Sequence, residues 1–146
     1  MAGNITQRAK ITGNGGDLTL QLPNLTYAYS LEISNASEIT LPMLSSVSDG
    51  LDISYSEVSE LSMPELTYVG GDLLLSNNRH LHDFKLEELV NVQGNLEMLG
   101  NDELDHIDGL PYLSSVGGNL ELMGAFERYG CTASYELEHA LMSRQH

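Results

Sequence analysis

Five stretches of the chain repeat one order of apolar and polar positions. Each begins with an apolar residue ahead of a fixed column: Leu22, Leu41, Met63, Leu86 and Leu110. The column itself holds all four prolines, Pro23, Pro42, Pro64 and Pro111, with Glu87 in the remaining copy. Two residues on stand Leu25, Leu44, Leu66, Leu89 and Leu113, and three further Ala28, Val47, Val69, Val92 and Val116. A Gly-rich corner follows in most copies, then a triplet with apolar outer members: Leu31–Ile33, Leu51–Ile53, Leu73–Leu75, Leu96–Met98 and Leu120–Leu122.

From the column to the triplet is 9 residues in four copies and 8 in the first, whereas triplet to next column drifts through 11, 13, 14 and 15. A constant half must pack against its neighbours, and a variable half holds the loop where insertions are tolerated. A period of 20 to 24 residues with alternating triplets predicts a solenoid, because one turn alone has no partner for its leucines. The triplets are predicted to pair in parallel, one turn over the next, ~4.8 Å apart. Each buried leucine then contributes roughly 1.5–3 kcal/mol.

Between triplets, "SNASEITLPML" and "SYSEVSELSMPEL" alternate apolar with polar residues and carry proline, which removes a donor and disfavours helix at the residue before it. Short strands are predicted at Ser37–Leu41 and Val58–Met63, a turn at the proline, and a third strand ending at the valine column. The fold class is all-β: a three-sided, right-handed parallel β-helix, in effect a leucine-rich-repeat-like solenoid of about five coils over residues 3–126. A horseshoe with outer helices is the competing arrangement. Residues 127–146 form a cap or tail, where "TASYELEHALMSR" has the spacing of a short helix with Ser134 as N-cap.

Charge changes the picture of partners. Against 21 acidic residues stand 6 basic ones, a formal net charge of -15. Such a surface repels nucleic acid and anionic membranes, so charged partners are cationic. No apolar run is long enough to insert into a bilayer, and "MAGNITQRAK" lacks the apolar core of a secretory signal. The lone Cys131 excludes an intrachain disulfide and any cysteine-based metal site.

The middle residue of each triplet points outward, giving a column Glu32, Asp52, Leu74, Glu97, Glu121. Stacked carboxylates repel, which raises their pKa values and invites a basic partner or a cation. His82 and His106 both precede the proline column by five residues and form a weak candidate metal pair. Asn35, Asn77, Asn101 and Asn14 suggest a structural amide ladder, and Tyr27, Tyr29, Tyr55, Tyr68 and Tyr112 are expected in core or rim packing rather than in sugar stacking. No nucleophile elbow, phosphate loop or paired acid and base is present, so no cofactor and no catalytic residue are assigned.

The pattern "LPxLxxVxGxLxIxxN", with "GNITQRAKITGNGGDLTLQLPNLTYAYSLEISNAS" before it and "GNLELMGAF" near the end, resembles the receptor L-domain repeat of growth-factor and insulin receptors. It is more similar still to fungal GPI-anchored cell-wall organisation and sporulation-specific proteins. The resemblance covers roughly residues 3–126. It implies an extracellular glycoprotein at the cell surface or wall, without enzymatic activity, binding a protein or a cell-wall polysaccharide. In the family a cysteine after the last coil is paired, and Cys131 stands in that place without a partner. Asn4, Asn24 and Asn35 match the glycosylation pattern. The expected function is a non-enzymatic surface module presenting a rigid acidic sheet, with Glu32, Asp52, Glu97 and Glu121 as binding residues. The alternatives are a polysaccharide-acting β-helix enzyme and a cation-dependent binding module.

Overall fold

A computed structural model describes residues 3–15, 17–105 and 107–124. The chain enters through β1 (Gly3–Thr12) and β2 (Leu18–Gln21), then winds on through β3 (Leu25–Ser34) and β4 (Ala36–Thr40). The next turn holds β5 (Ser46–Val47), β6 (Leu51–Ser54) and β7 (Glu60–Ser62). It is followed by β8 (Tyr68–Val69), β9 (Leu73–Ser76) and β10 (Asp83–Lys85). The last turns carry β11 (Asn91–Val92), β12 (Leu96–Asn101), β13 (Ser115–Val116) and β14 (Leu120–Gly124). Every pairing is parallel and joins equivalent segments of successive turns. The protein is thus an all-β parallel solenoid of about five turns, and among the described residues there is no helix. The helix and cap expected over 127–146 lie outside the described residues.

The strand order explains the one spacing anomaly. On its free side β3 pairs with β1; on the other it pairs first with β5 and then with β6. With 8 residues rather than 9 between column and triplet, the first copy runs straight through as one strand. The added residue in later copies breaks the strand into a valine piece and a leucine piece, with the Gly-rich corner between. The third side comes from β2 with β4 and β7 with β10. The predicted strands Ser37–Leu41 and Val58–Met63 correspond to β4, which begins and ends one residue earlier, and to β7, which is shorter at both ends.

The core is a set of stacked columns. Leu31, Leu51, Leu73 and Leu96 lie in one register, and Ile33, Ile53, Leu75 and Met98 in the next. All eight are buried, as are Val47, Val69 and Val92 and, on the third side, Leu61 and Phe84. The same columns at the ends, Ile11, Leu120 and Leu122, are only half-buried, each with one paired neighbour among the described residues.

Two polar ladders hold the corners. After the leucine strand the chain turns through a left-handed residue: Asn35 (φ 53), Tyr55 (φ 52), Asn77 (φ 55) and Gly100 (φ 67). Asn and Gly suit that conformation, and tyrosine does not. The next residues form the buried ladder. The Ala36 amide donates to Ser56 Oγ at 3.2 Å, the Ser56 amide to Asn78 Oδ1 at 3.0 Å, and the Asn78 amide to Asn101 Oδ1 at 3.1 Å. Asn78 and Asn101 also donate through Nδ2 to the Ile53 and Leu75 carbonyls. The ladder was expected on Asn14, Asn35, Asn77 and Asn101; of these only Asn101 belongs to it, Asn35 and Asn77 are the corner residues one step earlier, and Asn14 is exposed. At the glycine corner, the Asn95 amide donates to Asp72 Oδ1 and the Asn119 amide to Asn95 Oδ1, both at 2.8 Å. A Cβ on Gly94 would run into Asp72 Oδ1, so glycine keeps room for this second ladder.

Candidate functional site: the outward column of the leucine strands

The stack turns one side chain per coil outward from the leucine face. Glu32 pairs with Asp52, Asp52 with Leu74, Leu74 with Glu97, and Glu97 with Glu121. All four acids named from the sequence therefore fall in one column, as two carboxylate neighbours on either side of a leucine.

The column begins one turn earlier than the sequence reading placed it. Lys10 pairs with Glu32, and its Nζ lies 2.8 Å from Glu32 Oε1. The hydrogen bond to Glu32, with the carboxylate's charge, raises the Lys10 pKa above the usual 10.5. Arg8, two residues back, reaches Asp49 Oδ2 at 3.7 Å. The signal for this turn was present: "AKI" (Ala9–Ile11) is a degenerate triplet 22 residues before "LEI". Its leading position holds alanine rather than leucine, and it has no proline column before it.

Asp52 is the most perturbed acid of the column. Its pKa is raised, chiefly because burial penalises the carboxylate, with the nearby Glu32 charge adding to the rise; a hydrogen bond with Ser54 and the charge of Lys10 act the other way. Repulsion between stacked acids was the expected cause, and it proves the smaller one. Asp52 Oδ1 is buried without a hydrogen-bond partner. Arg8, Glu32, Asp49, Asp52, Asp72 and Leu74 line a shallow hollow of about 250 Å³ over this part of the sheet. The arrangement combines fixed carboxylates, an apolar step at Leu74 and a cationic edge, which suits recognition of a basic surface.

The histidines are arranged differently from the expected pair. His82 is exposed at a corner, with Nε2 4.0 Å from Glu60 Oε1, and His106 lies outside the described residues. The histidine that bridges turns is His80. Its Nε2 lies 3.1 Å from Glu57 Oε2 and its Nδ1 3.3 Å from Glu103 Oε1. The three residues recur at intervals of 23, which was the available signal. Among the described residues, no group of three or more His, Cys, Asp or Glu is placed to hold a metal ion.

Asn4, Asn24 and Asn35 are all exposed, on β1, beside Pro23 and at the first left-handed corner. Of the tyrosines, Tyr29, Tyr55, Tyr68 and Tyr112 stand at the surface rather than in the core.

No family model matches the chain. No solved structure matches it either. Among curated proteins, it is 33% identical to Sporulation-specific protein 2 of Saccharomyces cerevisiae over 125 residues, 86% of this chain and 25% of that protein. It is 33% identical to a cell surface GPI-anchored protein of Arthroderma benhamiae over 125 residues, 85% of this chain and 32% of that one. It is 32% identical to Protein ecm33 of Aspergillus fumigatus over 91 residues, 62% of this chain and 23% of that one. The chain spans about a quarter to a third of the length of these relatives. Over most of its length the chain is therefore homologous to the fungal sporulation-specific and GPI-anchored cell-surface proteins.

Proposed function

We propose that this chain is a non-enzymatic recognition module of a cell-surface protein, a right-handed solenoid of the receptor L-domain type. Its leucine face binds a partner protein through the acidic column. The observation that carries the reading is the in-register run Glu32, Asp52, Leu74, Glu97, Glu121, flanked by buried apolar columns from Leu31 to Met98 and by half-buried Leu120 and Leu122 at its end. The names of the relatives support it, since they denote cell-surface and sporulation proteins rather than enzymes. The module works outside the cell, with sugar chains on Asn4, Asn24 and Asn35.

The partner is a protein with lysines or arginines spaced along an edge or helix to meet carboxylates one turn apart. Ordered charges of this kind set specificity and encounter rate more than total affinity. The test compares two variants of equal net charge, E97Q/E121Q in the column and E38Q/E88Q outside it, for binding to an immobilised lysine-rich peptide. The column variant is expected to weaken binding about tenfold, roughly 1.4 kcal/mol, and the outside variant far less. Equal weakening would mean that net charge alone attracts the peptide, and the column would lose its role. Expression in a secretory host is expected to add glycan mass removable by an N-glycosidase.

A further inference from the structure

The valine strands carry a face unlike the rest of the molecule. In a chain of net charge -15, the outward column of this face holds no carboxylate and no cation: Tyr27, Ser46, Tyr68, Asn91 and Ser115 follow one another in register. Beside it runs a row in which Ser45 Oγ donates to the Thr26 carbonyl and Thr67 Oγ to the Ser45 carbonyl. Acids resume only at the borders, with Glu65 and Glu88 at the proline turns and Asp49 and Asp72 at the glycine corner.

The exposed aromatic and apolar side chains gather here as well. Of the seven large ones left exposed among the described residues, Tyr29, Tyr68 and Val90 belong to this strip, and Met43 stands at the proline turn on its rim. The rings are held in place in the free protein. The Tyr68 ring lies over Gly70, where a Cβ would come within 3.2 Å of its Cε1. The Tyr27 hydroxyl accepts a hydrogen bond from Ser48 Oγ at 2.9 Å. Tyrosine offers large amphipathic contact area at low entropic cost.

A neutral sugar chain meets such a strip group for group. Pyranose C–H faces lie against aromatic rings, and sugar hydroxyls exchange hydrogen bonds with Ser, Thr and Asn. An anionic polymer is repelled by the surrounding acids, and a cationic one is drawn to the acidic column instead. The turns repeat every ~4.8 Å, close to the advance per residue of an extended hexose chain, so a glycan lying along the stack meets equivalent positions sugar after sugar. We propose that the valine face binds a neutral, extended hexose polysaccharide running along the solenoid axis, with Tyr27 and Tyr68 as stacking platforms and Ser46, Asn91 and Ser115 as hydrogen-bonding partners. This site is separate from the acidic column.

The intact chain is titrated with neutral hexasaccharides of glucose, mannose and N-acetylglucosamine, and with hexagalacturonate as the anionic probe, following tyrosine fluorescence. The sequence has no tryptophan, so the signal comes from the tyrosines alone. At least one neutral hexasaccharide is expected to bind at millimolar concentration or below, more tightly than its disaccharide. Tyr68→Ala is expected to weaken it about tenfold with the parent's melting temperature, while E97Q/E121Q leaves it unchanged. The proposal is overturned if no neutral sugar binds at millimolar concentration, if hexagalacturonate binds as well, or if Tyr68→Ala binds like the parent. It is equally overturned if the chain forms a dimer that buries Tyr68.

Discussion

Lys10 Nζ sits 2.8 Å from Glu32 Oε1, and this pair heads a column that is acidic everywhere else except at Leu74. One cation thus faces a run of carboxylates from the end turn. Lys10→Met is expected to lower the melting temperature, and the loss should shrink as salt is added, because exposed charges are screened. The raised Lys10 pKa means that the pair stabilises below the usual 10.5 and that this contribution is lost as pH rises through the folded value. Thermal melts between neutral and strongly alkaline pH check the direction. The difference between parent and Lys10→Met should vanish at the alkaline end.

The Asp52 pKa is shifted in the same direction, but at neutral pH the carboxylate is the penalised form. Its folded pKa is raised above the ordinary 3.8, so the folded protein holds that proton more tightly than the unfolded chain. Stability from this group is present below 3.8 and is lost as pH rises through the folded value. Asp52→Asn is therefore expected to raise the melting temperature at neutral pH and to give no gain at pH 3. A variant less stable than the parent at pH 7 would show that the carboxylate is compensated by a partner.

The Asn ladder sets a contrast between adjacent residues. Asn78→Ala leaves the buried Ser56 amide and Ile53 carbonyl without their side-chain partners, at ~1–3 kcal/mol for each group left unpaired. Asn77→Ala removes only a residue suited to a left-handed turn, worth ~1–2 kcal/mol, and Asn77→Gly should cost little. Urea unfolding of the three variants should rank them in that order.

The core columns predict a gradient from the middle of the stack to its end. Leu73→Ala, at a fully buried site with neighbours on both sides, is expected to cost ~2–5 kcal/mol. Leu120→Ala, half-buried with a single paired neighbour among the described residues, should cost clearly less in the same unfolding experiment.

Much of this architecture can be read from the chain because the segment from proline column to triplet has constant length. Constant length fixes which side chains lie over one another, so the outward acids and inward leucines follow directly. The corner after the triplet is harder. Asn77 and Asn78 stand side by side, and residue type alone does not say which takes the left-handed turn and which enters the core. Asn35 is followed by Ala36, so a ladder of asparagines cannot begin there; the rung is made by a backbone amide meeting Ser56. The Lys10 turn was hidden by a triplet led by alanine. The bridging role of His80 rests on Glu57 and Glu103 in loops of unequal length, where the hydrophobic pattern gives no register.

The central claim is that outward residues of successive triplets form one column on a parallel stack. In a Cys131→Ser background, the pair E97C/E121C is expected to close a disulfide under mild oxidation, since the two positions are direct neighbours across parallel strands. The pair E97C/L122C, with one side chain outward and one inward, is expected to stay reduced. Non-reducing peptide mapping reads both. Failure of the first pair to oxidise, or equal oxidation of the two, would contradict the register on which the acidic column depends.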